Sequence, residues 1–202
     1  MHLPVWATDP SSLLITEEQY EALPEDVARA IEVVDGSVIF CESPTPEHQT
    51  VSFNLTASIR AARPKDPCIA VLQDTDMRYV YPNTHRNADG KRFTLRRPDV
   101  SVLRCIKPGA KLTSADVFVA IEISSTNSES DFADKKAEYA RQEIPVYLIV
   151  VMAEGRVHSV EEHRLDWSGR NYQLAAVHRE TLTVTLPERL RLDVPFTDLE
   201  LI

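Results

Sequence analysis

The sequence predicts an α/β or α+β domain in which a mixed β-sheet core is flanked by helices and by additional antiparallel hairpins. Three observations support this prediction. Short apolar runs typical of strands recur along the chain, a strand–helix–strand order spans 117–151, and the C-terminal part alternates polar and apolar residues between turn signals. For a chain of 202 residues we expect one domain that covers residues 1–202.

The N-terminal part of the chain predicts short helices, a hairpin and a longer helix. A Thr and a Gln at capping-box spacing open ITEEQYEALPED, and Pro24 divides that segment into two short helices or turns. An Asp-Gly pair separates two strand runs in AIEVVDGSVIFCE, which is a strong hairpin signal. In TPEHQTVSFNLTASIRAAR, helical spacing relates the apolar residues Val51, Leu55 and Ile59.

The middle and the end of the chain predict the strands of the core. CIAVLQD and MRYVYP are strand-like, and RRPDVSVLRC predicts a strand entered through Pro98. ADVFVAIEIS is the most buried-looking strand; the polar helix SESDFADKKAEYARQE and the core strand IPVYLIVV follow it. This order implies a crossover that joins parallel strands. The tail after residue 155 predicts antiparallel strands.

Composition and targeting signals indicate a cytoplasmic protein without a membrane segment. No apolar stretch approaches the roughly 20 residues that cross a bilayer. The N-terminus has no basic region followed by an apolar run, so we expect no signal peptide. The cysteines Cys41, Cys68 and Cys105 lack metal-knuckle spacing, and their odd number argues against a disulfide framework.

The charge distribution leaves the question of a nucleic-acid partner open. The net charge of -9 argues against such a partner, because phosphate binding requires positive charge. The segment from His85 to Lys111, however, contains eight basic residues and only two acidic ones. That segment could form a basic patch that steers a polyanion. It could equally be a solvated hairpin whose charge is incidental.

Two carboxylates and a lysine form the constellation best suited to chemistry. Asp99 starts one predicted strand, and Glu122 lies within the next, with Ser124 on the same face. If the two strands are neighbours, the acids converge, and Mg²⁺ typically takes one or two protein carboxylates. Lys135, on the following helix, could act on water or on developing charge. It could also be an ordinary surface ion pair with Asp131, and Lys136 is an alternative.

The same residues resemble a known family. RRPDVSVL, followed by VAIEISSTNSESDFADKKAEYARQEIPVYLIV, resembles the Uma-type putative restriction endonuclease family, a branch of the PD-(D/E)XK nuclease superfamily. The upstream segments AIEVVDGSVIF and SPTPEHQTVSFNL resemble the family's hairpin and its histidine segment. The residues that match the family pattern are Glu32, Gly36, His48, Pro98, Asp99, Val100, Glu122, Ser124, Asp131, Lys135 and Tyr139.

The resemblance implies a restriction-endonuclease-like fold and a role for each site residue. Asp99 and Glu122 would bind Mg²⁺ or Mn²⁺, and the catalytic lysine would have moved from the position of Ser124 to Lys135. Glu32 would be an auxiliary catalytic acid. The residues expected to support the site are His48, Ser124 and Tyr139.

The function implied by the resemblance is metal-dependent hydrolysis of DNA phosphodiester bonds by an endonuclease. A homodimer is expected, because a two-fold enzyme matches a two-fold duplex. The alternative is a catalytically inactive nuclease fold that acts in nucleic-acid or protein binding, since fold does not determine function. A hydrolase of small phosphoesters that uses the same acids is a third possibility.

Overall fold

The structure is a computed structural model that describes residues 13–82, 93–124 and 129–200, with side chains from residue 132 onward in the last range. Five helices lie within these ranges: α1 (Glu17–Glu21), α2 (Glu25–Arg29), α3 (Pro46–Ala62), α4 (Glu129–Arg141) and α5 (Phe196–Leu199). The strands are β1 (Ile31–Val34), β2 (Ser37–Phe40), β3 (Ile69–Gln73), β4 (Met77–Arg78), β5 (Leu95–Arg96), β6 (Val100–Arg104), β7 (Val117–Ser124), β8 (Val146–Ala153), β9 (Arg156–Leu165), β10 (Tyr172–His178), β11 (Thr181–Thr185) and β12 (Arg191–Pro195).

A mixed six-stranded sheet carries the core, in the order β10-β9-β8-β7-β6-β3. The β7–β8 pair is parallel, as the strand–helix–strand order predicts, and the other pairs are antiparallel. A four-stranded sheet, β2-β1-β5-β4, and the β11–β12 ribbon complete the described strands. The predicted mixed sheet with flanking helices and antiparallel hairpins is therefore confirmed.

The two faces of β7 bury different helices. Val119 and Ile121 belong to one apolar cluster with Leu55 of α3, whereas Ala120 belongs to another with Tyr139 of α4. Successive strand residues point to opposite faces, so α3 and α4 cover opposite sides of the sheet. Every residue of β7 is buried, which places this strand at the centre of the fold.

Local sequence signals explain where several elements begin and turn. Thr45 caps α3 by accepting a hydrogen bond from the His48 N–H at 3.3 Å, and Pro46 occupies the first turn. At the β1–β2 turn, Asp35 and Gly36 have φ values of 49° and 82°. Positive φ at both central residues gives a turn whose twist matches the two strands.

One expectation about the chain is confirmed only in part, and another is wrong. The segment MRYVYP forms only a two-residue strand, because the Val80 and Tyr81 N–H groups donate to the side chain of Gln142 instead of to a neighbouring strand. Cys68 and Cys105 form a disulfide, although an odd cysteine count argued against one. They flank Ile69 and Arg104, which face each other in the β3–β6 pair, so the strand register brings the two thiols together.

The described core predicts that two leucine substitutions will change the free energy of unfolding by very different amounts. Leu148 in β8 is fully buried, whereas Leu174 in β10 is 54% exposed. We expect Leu148→Ala to lower the free energy of unfolding by about 2–5 kcal/mol, through lost burial and a cavity. Leu174→Ala, the matched control, should change it by less than about 0.5 kcal/mol. Urea denaturation measures both, and equal losses would contradict the described core.

Candidate active site

Asp99 and Glu122 lie side by side because β6 and β7 are neighbouring antiparallel strands. Val100 is opposite Ile121 in the register, so the residues just outside that pair are adjacent. The Ile123 N–H donates to Asp99 Oδ2 at 2.6 Å, which joins the Asp99 carboxylate directly to the strand that carries Glu122. The predicted convergence of the two acids is present in the structure.

Glu122 is held by two side chains from α4. Glu122 as a whole residue is only 3% exposed. The Lys135 Nζ donates to Glu122 Oε2 at 2.9 Å, and the Tyr139 hydroxyl donates to Oε1 at 2.6 Å. Lys135 and Tyr139 are four residues apart, so one helix face presents both to the same carboxylate.

The neighbouring Lys136 points elsewhere. It lines a groove of about 800 Å³ on another side of α4, together with Ala137, Arg141 and Arg170. The sequence left open which lysine of the adjacent pair serves the acids. In the structure Lys135 is the one in contact with Glu122.

The Glu122 carboxyl is unusually basic. Burial raises its pKa, the positive charge of Lys135 lowers it, and the negative charges of Asp99 and Glu32 raise it again. The net result is a pKa of about 7. A carboxyl in this range titrates near neutral pH, and such perturbed groups concentrate at functional sites.

His48 and Asp74 extend the site around Asp99. The His48 Nε2 lies 3.2 Å from Asp99 Oδ2. Burial lowers the pKa of His48, but the hydrogen bond to Asp99 and the charges of Asp99, Asp74 and Glu122 outweigh burial and raise it. Asp74 follows β3, and its N–H donates to the Asp99 carbonyl at 3.3 Å. Burial and the Asp99 charge raise the pKa of Asp74.

Sequence reasoning did not single out Asp74. The run CIAVLQD ends with this acid, but its relevance depends on β3 pairing with β6, beside the strand end that carries Asp99. The only signal in the sequence was an acid at the end of a predicted strand.

Glu32 lies in β1 and is buried in a network of charges. Its Oε2 accepts from Arg96 Nη1 at 2.8 Å, and its Oε1 accepts from the Arg97 N–H at 2.7 Å. Arg96 also forks onto Glu138 of α4, with Nε to Oε2 at 2.8 Å and Nη2 to Oε1 at 2.9 Å. Both Glu32 oxygens therefore have donors, and Glu32 acts on Glu122 through its charge.

Ser124 ends β7, opposite Val151 of β8, and is buried. It lies two residues after Glu122, on the same face of the strand. The side chain of Asp131, a further position of the family pattern, lies outside the described side chains.

The basic segment predicted between His85 and Lys111 does not form a basic patch within the described residues. Four of its five described cations pair with acids, and Arg96 is buried. The other cations of the segment lie at residues 86, 91 and 92, outside the described ranges. The pairs are Arg96 with Glu32 and Glu138, Arg97 with Asp76, Arg104 with Glu188, and Lys111 with Glu17 and Glu21.

The donor set suits a hard divalent cation. No group of three or more His, Cys, Asp or Glu side chains in the described ranges is arranged to hold a metal ion. Mg²⁺ does not need one, because it commonly binds one or two carboxylates and takes water and phosphate oxygens for the rest. Asp99 and Glu122 would provide two oxygen ligands. The pKa of Glu122 is raised first by burial and then by the Asp99 and Glu32 charges, and a bound cation would stabilise the charged carboxylate against both effects.

Within the described residues, no helix combines the length and the apolar character needed to span a membrane. None of the curated proteins matches the chain.

Comparison with solved structures supports the fold. The chain is similar to the crystal structure of a protein from Anabaena variabilis ATCC 29413 that is described as a putative nuclease, with a TM-score of 0.65. The alignment covers 92% of this chain and 97% of that chain, at 16% sequence identity. At this identity the likeness establishes a shared fold.

A family model establishes the relationship. The model described as "Uma2: Putative restriction endonuclease" matches residues 17–197, which is most of the chain and contains Glu32, Asp99, Glu122 and Lys135. The chain therefore belongs to the Uma2 family of putative restriction endonucleases.

Proposed function

We propose that the protein is an endonuclease that hydrolyses DNA phosphodiester bonds with Mg²⁺ or Mn²⁺, using Asp99, Glu122 and Lys135. The observation that carries the proposal is the convergence of Lys135 on Glu122 at 2.9 Å, beside Asp99 on the adjacent strand. Two acids and a lysine form the set that metal-assisted phosphodiester hydrolysis needs. Family membership supports the same reaction class.

Asp99 and Glu122 would hold the ion, and rigid neighbours fix both. The Ile123 N–H holds Asp99, and the Tyr139 hydroxyl holds Glu122. When bound, the divalent ion supplies charge neutralisation for the phosphodiester and makes water more acidic. Support from surrounding hydrogen bonds keeps such ligands in the productive orientation.

The remaining polar residues would act on charge. Lys135 brings its ammonium to the Glu122 carboxylate, where it neutralises negative charge that develops on the phosphodiester or orients the attacking water. Glu32 assists as a buried negative charge that raises the pKa of Glu122. His48 supports Asp99 through their contact at 3.2 Å.

The direct test is cleavage of supercoiled plasmid in Mg²⁺ or Mn²⁺, with EDTA as the metal-free control. Wild type should cut, whereas Asp99→Ala should not. The Asp99→Ala variant must be shown to fold by circular dichroism. Cleavage that persists in a folded Asp99→Ala protein would overturn the assignment.

The pH dependence of metal binding follows from Glu122. Its pKa is raised to about 7 by burial and by the Asp99 and Glu32 charges, and only the deprotonated carboxylate binds a cation. Affinity for Mn²⁺ should therefore fall by about tenfold one pH unit below that value, with uptake of the ion releasing a proton. Calorimetry in buffers of different ionisation enthalpy measures both.

The matched control for this prediction is Glu122→Gln, whose metal binding should lack the same pH step. An affinity for Mn²⁺ that is flat between mildly acidic and mildly basic pH in wild type would contradict the prediction.

A second candidate function is nucleic-acid or protein binding by a catalytically inactive nuclease fold. The net charge of -9 and the pairing of most described cations in the basic segment count against DNA as a substrate, and they favour protein binding among these alternatives. Calorimetry with Mn²⁺ separates the two functions, because a well-folded protein that binds no metal would support the inactive form.

The proposal also covers the domain organisation, the localisation and the oligomeric state of the protein. We treat residues 1–202 as one nuclease domain, in a cytoplasmic homodimer whose two sites cut the two strands of a duplex. Sedimentation that shows only monomer at micromolar concentration would remove the dimer from the proposal.

A further inference from the structure

A catalytic lysine on a helix creates a positioning requirement. Glu122 is part of β7, but Lys135 belongs to α4, so the distance between them depends on how the helix sits against the sheet. Catalytic groups must be held to within about 0.5 Å of the productive geometry. Some contact other than the lysine itself must therefore fix α4.

We propose that Arg96 and Glu138 are positioning residues, and that their buried ion pair fixes α4 so that Lys135 meets Glu122. The inference rests on the proposed function and adds two residues that neither the sequence motifs nor the family pattern single out. Arg96 lies in β5, and Glu138 lies in α4, three residues after Lys135.

The contacts of Arg96 tie three elements together. Its Nε and Nη2 donate to the two oxygens of Glu138 at 2.8 and 2.9 Å. Its third nitrogen, Nη1, donates to Glu32 of β1 at 2.8 Å. The Tyr79 hydroxyl donates to Glu138 Oε2 at 3.0 Å, so the carboxylate is held from both sides. The Arg96 guanidinium thereby connects α4 to the four-stranded sheet.

The geometry of the Arg96–Glu138 pair restrains the rotation of α4 as well as its distance from β5. A guanidinium that bonds both oxygens of a carboxylate forms a planar, two-point contact. A lysine at the same place would supply only a point charge on a flexible stem. Glu138 lies one helical turn after Lys135 and directly precedes Tyr139 in α4. A rotation of α4 about its axis would therefore displace the two groups that donate to Glu122, which are the Lys135 ammonium and the Tyr139 hydroxyl.

Stability alone is a poor reason for this arrangement. Arg96 is 2% exposed, Glu138 8% and Glu32 6%, so three charges leave water to form the network. Replacing buried ion pairs by apolar residues is often neutral or even stabilising. Their retention beside the site agrees with a positioning role.

The first measurement compares Glu138→Gln and Arg96→Lys with wild type in DNA cleavage. Each variant should lower kcat by about 10–100-fold, as loss of a supporting contact does, while KM and Mn²⁺ affinity stay unchanged. The assay is run at a temperature at which circular dichroism shows full folding. A kcat equal to that of wild type in the folded variants would overturn the proposal, even where their melting temperature falls.

Arg97→Lys is the matched control. Arg97 is the next residue and forks onto Asp76, with Nε and Nη2 at 2.9 and 2.7 Å from Oδ1, but this contact does not involve α4. Its substitution should lower stability without lowering kcat. A loss of kcat equal to that in Arg96→Lys would mean that any broken ion pair in this region has the same effect, and would overturn the proposal.

Amide hydrogen exchange gives a readout that does not depend on cleavage. Exchange of the α4 amides should accelerate in Arg96→Lys and Glu138→Gln, relative to β7 amides in the same sample, and should not do so in Arg97→Lys. If wild type cuts no DNA, the nuclease function fails, and exchange alone decides whether the pair holds α4. Equal exchange in all three variants would overturn the proposal while leaving the nuclease function intact.

Discussion

Replacing Glu122 by glutamine is expected to lower DNA cleavage by about 10³-fold, because a lost metal ligand removes several kcal/mol of transition-state stabilisation. Glutamine keeps the length of the side chain, and its amide oxygen can still accept the Tyr139 hydroxyl. The substitution therefore removes the charge and leaves the shape. Initial rates on supercoiled plasmid and calorimetry with Mn²⁺ measure the two consequences.

The stability of Glu122→Gln must be controlled, because Lys135 is 8% exposed and would lose its anionic partner. Breaking a buried pair by removing one partner costs about 3–5 kcal/mol. The double variant Glu122→Gln with Lys135→Met removes both charges and should recover much of that stability. It should remain inactive. A folded double variant that cuts at the wild-type rate would disprove the role of Glu122.

Local signals account for the parts of the fold that the sequence predicted. The β1–β2 hairpin follows from Asp35 and Gly36, and α3 follows from the spacing of Val51, Leu55 and Ile59, all buried in the structure. These features depend on neighbouring residues alone. The β7–α4–β8 unit was equally predictable, because both strands are predominantly apolar, with Glu122 the one charged residue of β7, and the helix between them is polar.

Pairing between distant segments explains what the sequence did not reveal. The convergence of Asp99 and Glu122 was predictable only on the condition that their strands are neighbours. Asp74 joins them because β3 lies on the other side of β6. Arg96 and Glu138 are 42 residues apart and carry no common motif. The same register that pairs Ile69 with Arg104 brings Cys68 to Cys105.

Charge along the chain also differs from charge on the surface. The segment from His85 to Lys111 is strongly basic in sequence, but Arg96 and Arg97 are used inside the protein to bind Glu32, Glu138 and Asp76. The charges of Arg96 and Arg97 are therefore already neutralised by these acids. Among the acids that these arginines bind, Glu32 is close enough to Glu122 for its charge to raise the pKa of Glu122.

The adjacent lysines allow a sharper test of the chemistry than either acid does. Lys135→Met is expected to lower cleavage by about 10²–10³-fold, the range for loss of one positioned donor to transition-state charge. Methionine is unbranched and fills the same buried space. Asp99 and Glu122 both remain, so Mn²⁺ binding should persist. The Lys135 charge lowers the pKa of Glu122, so that pKa should be higher in Lys135→Met than in wild type. Mn²⁺ binding by the two proteins must therefore be compared at a pH above both pKa values.

Lys136→Met makes the same chemical change one residue along the same helix, but on the side that lines the groove with Arg141 and Arg170. It should leave cleavage unchanged. Since the two variants share composition, charge and helix, a loss confined to Lys135→Met depends on the 2.9 Å contact with Glu122 and not on the net charge of the protein. A loss of cleavage confined to Lys136→Met would instead assign the catalytic role to Lys136, which lines the groove. Equal activity in both would leave the acids without a lysine partner in the reaction.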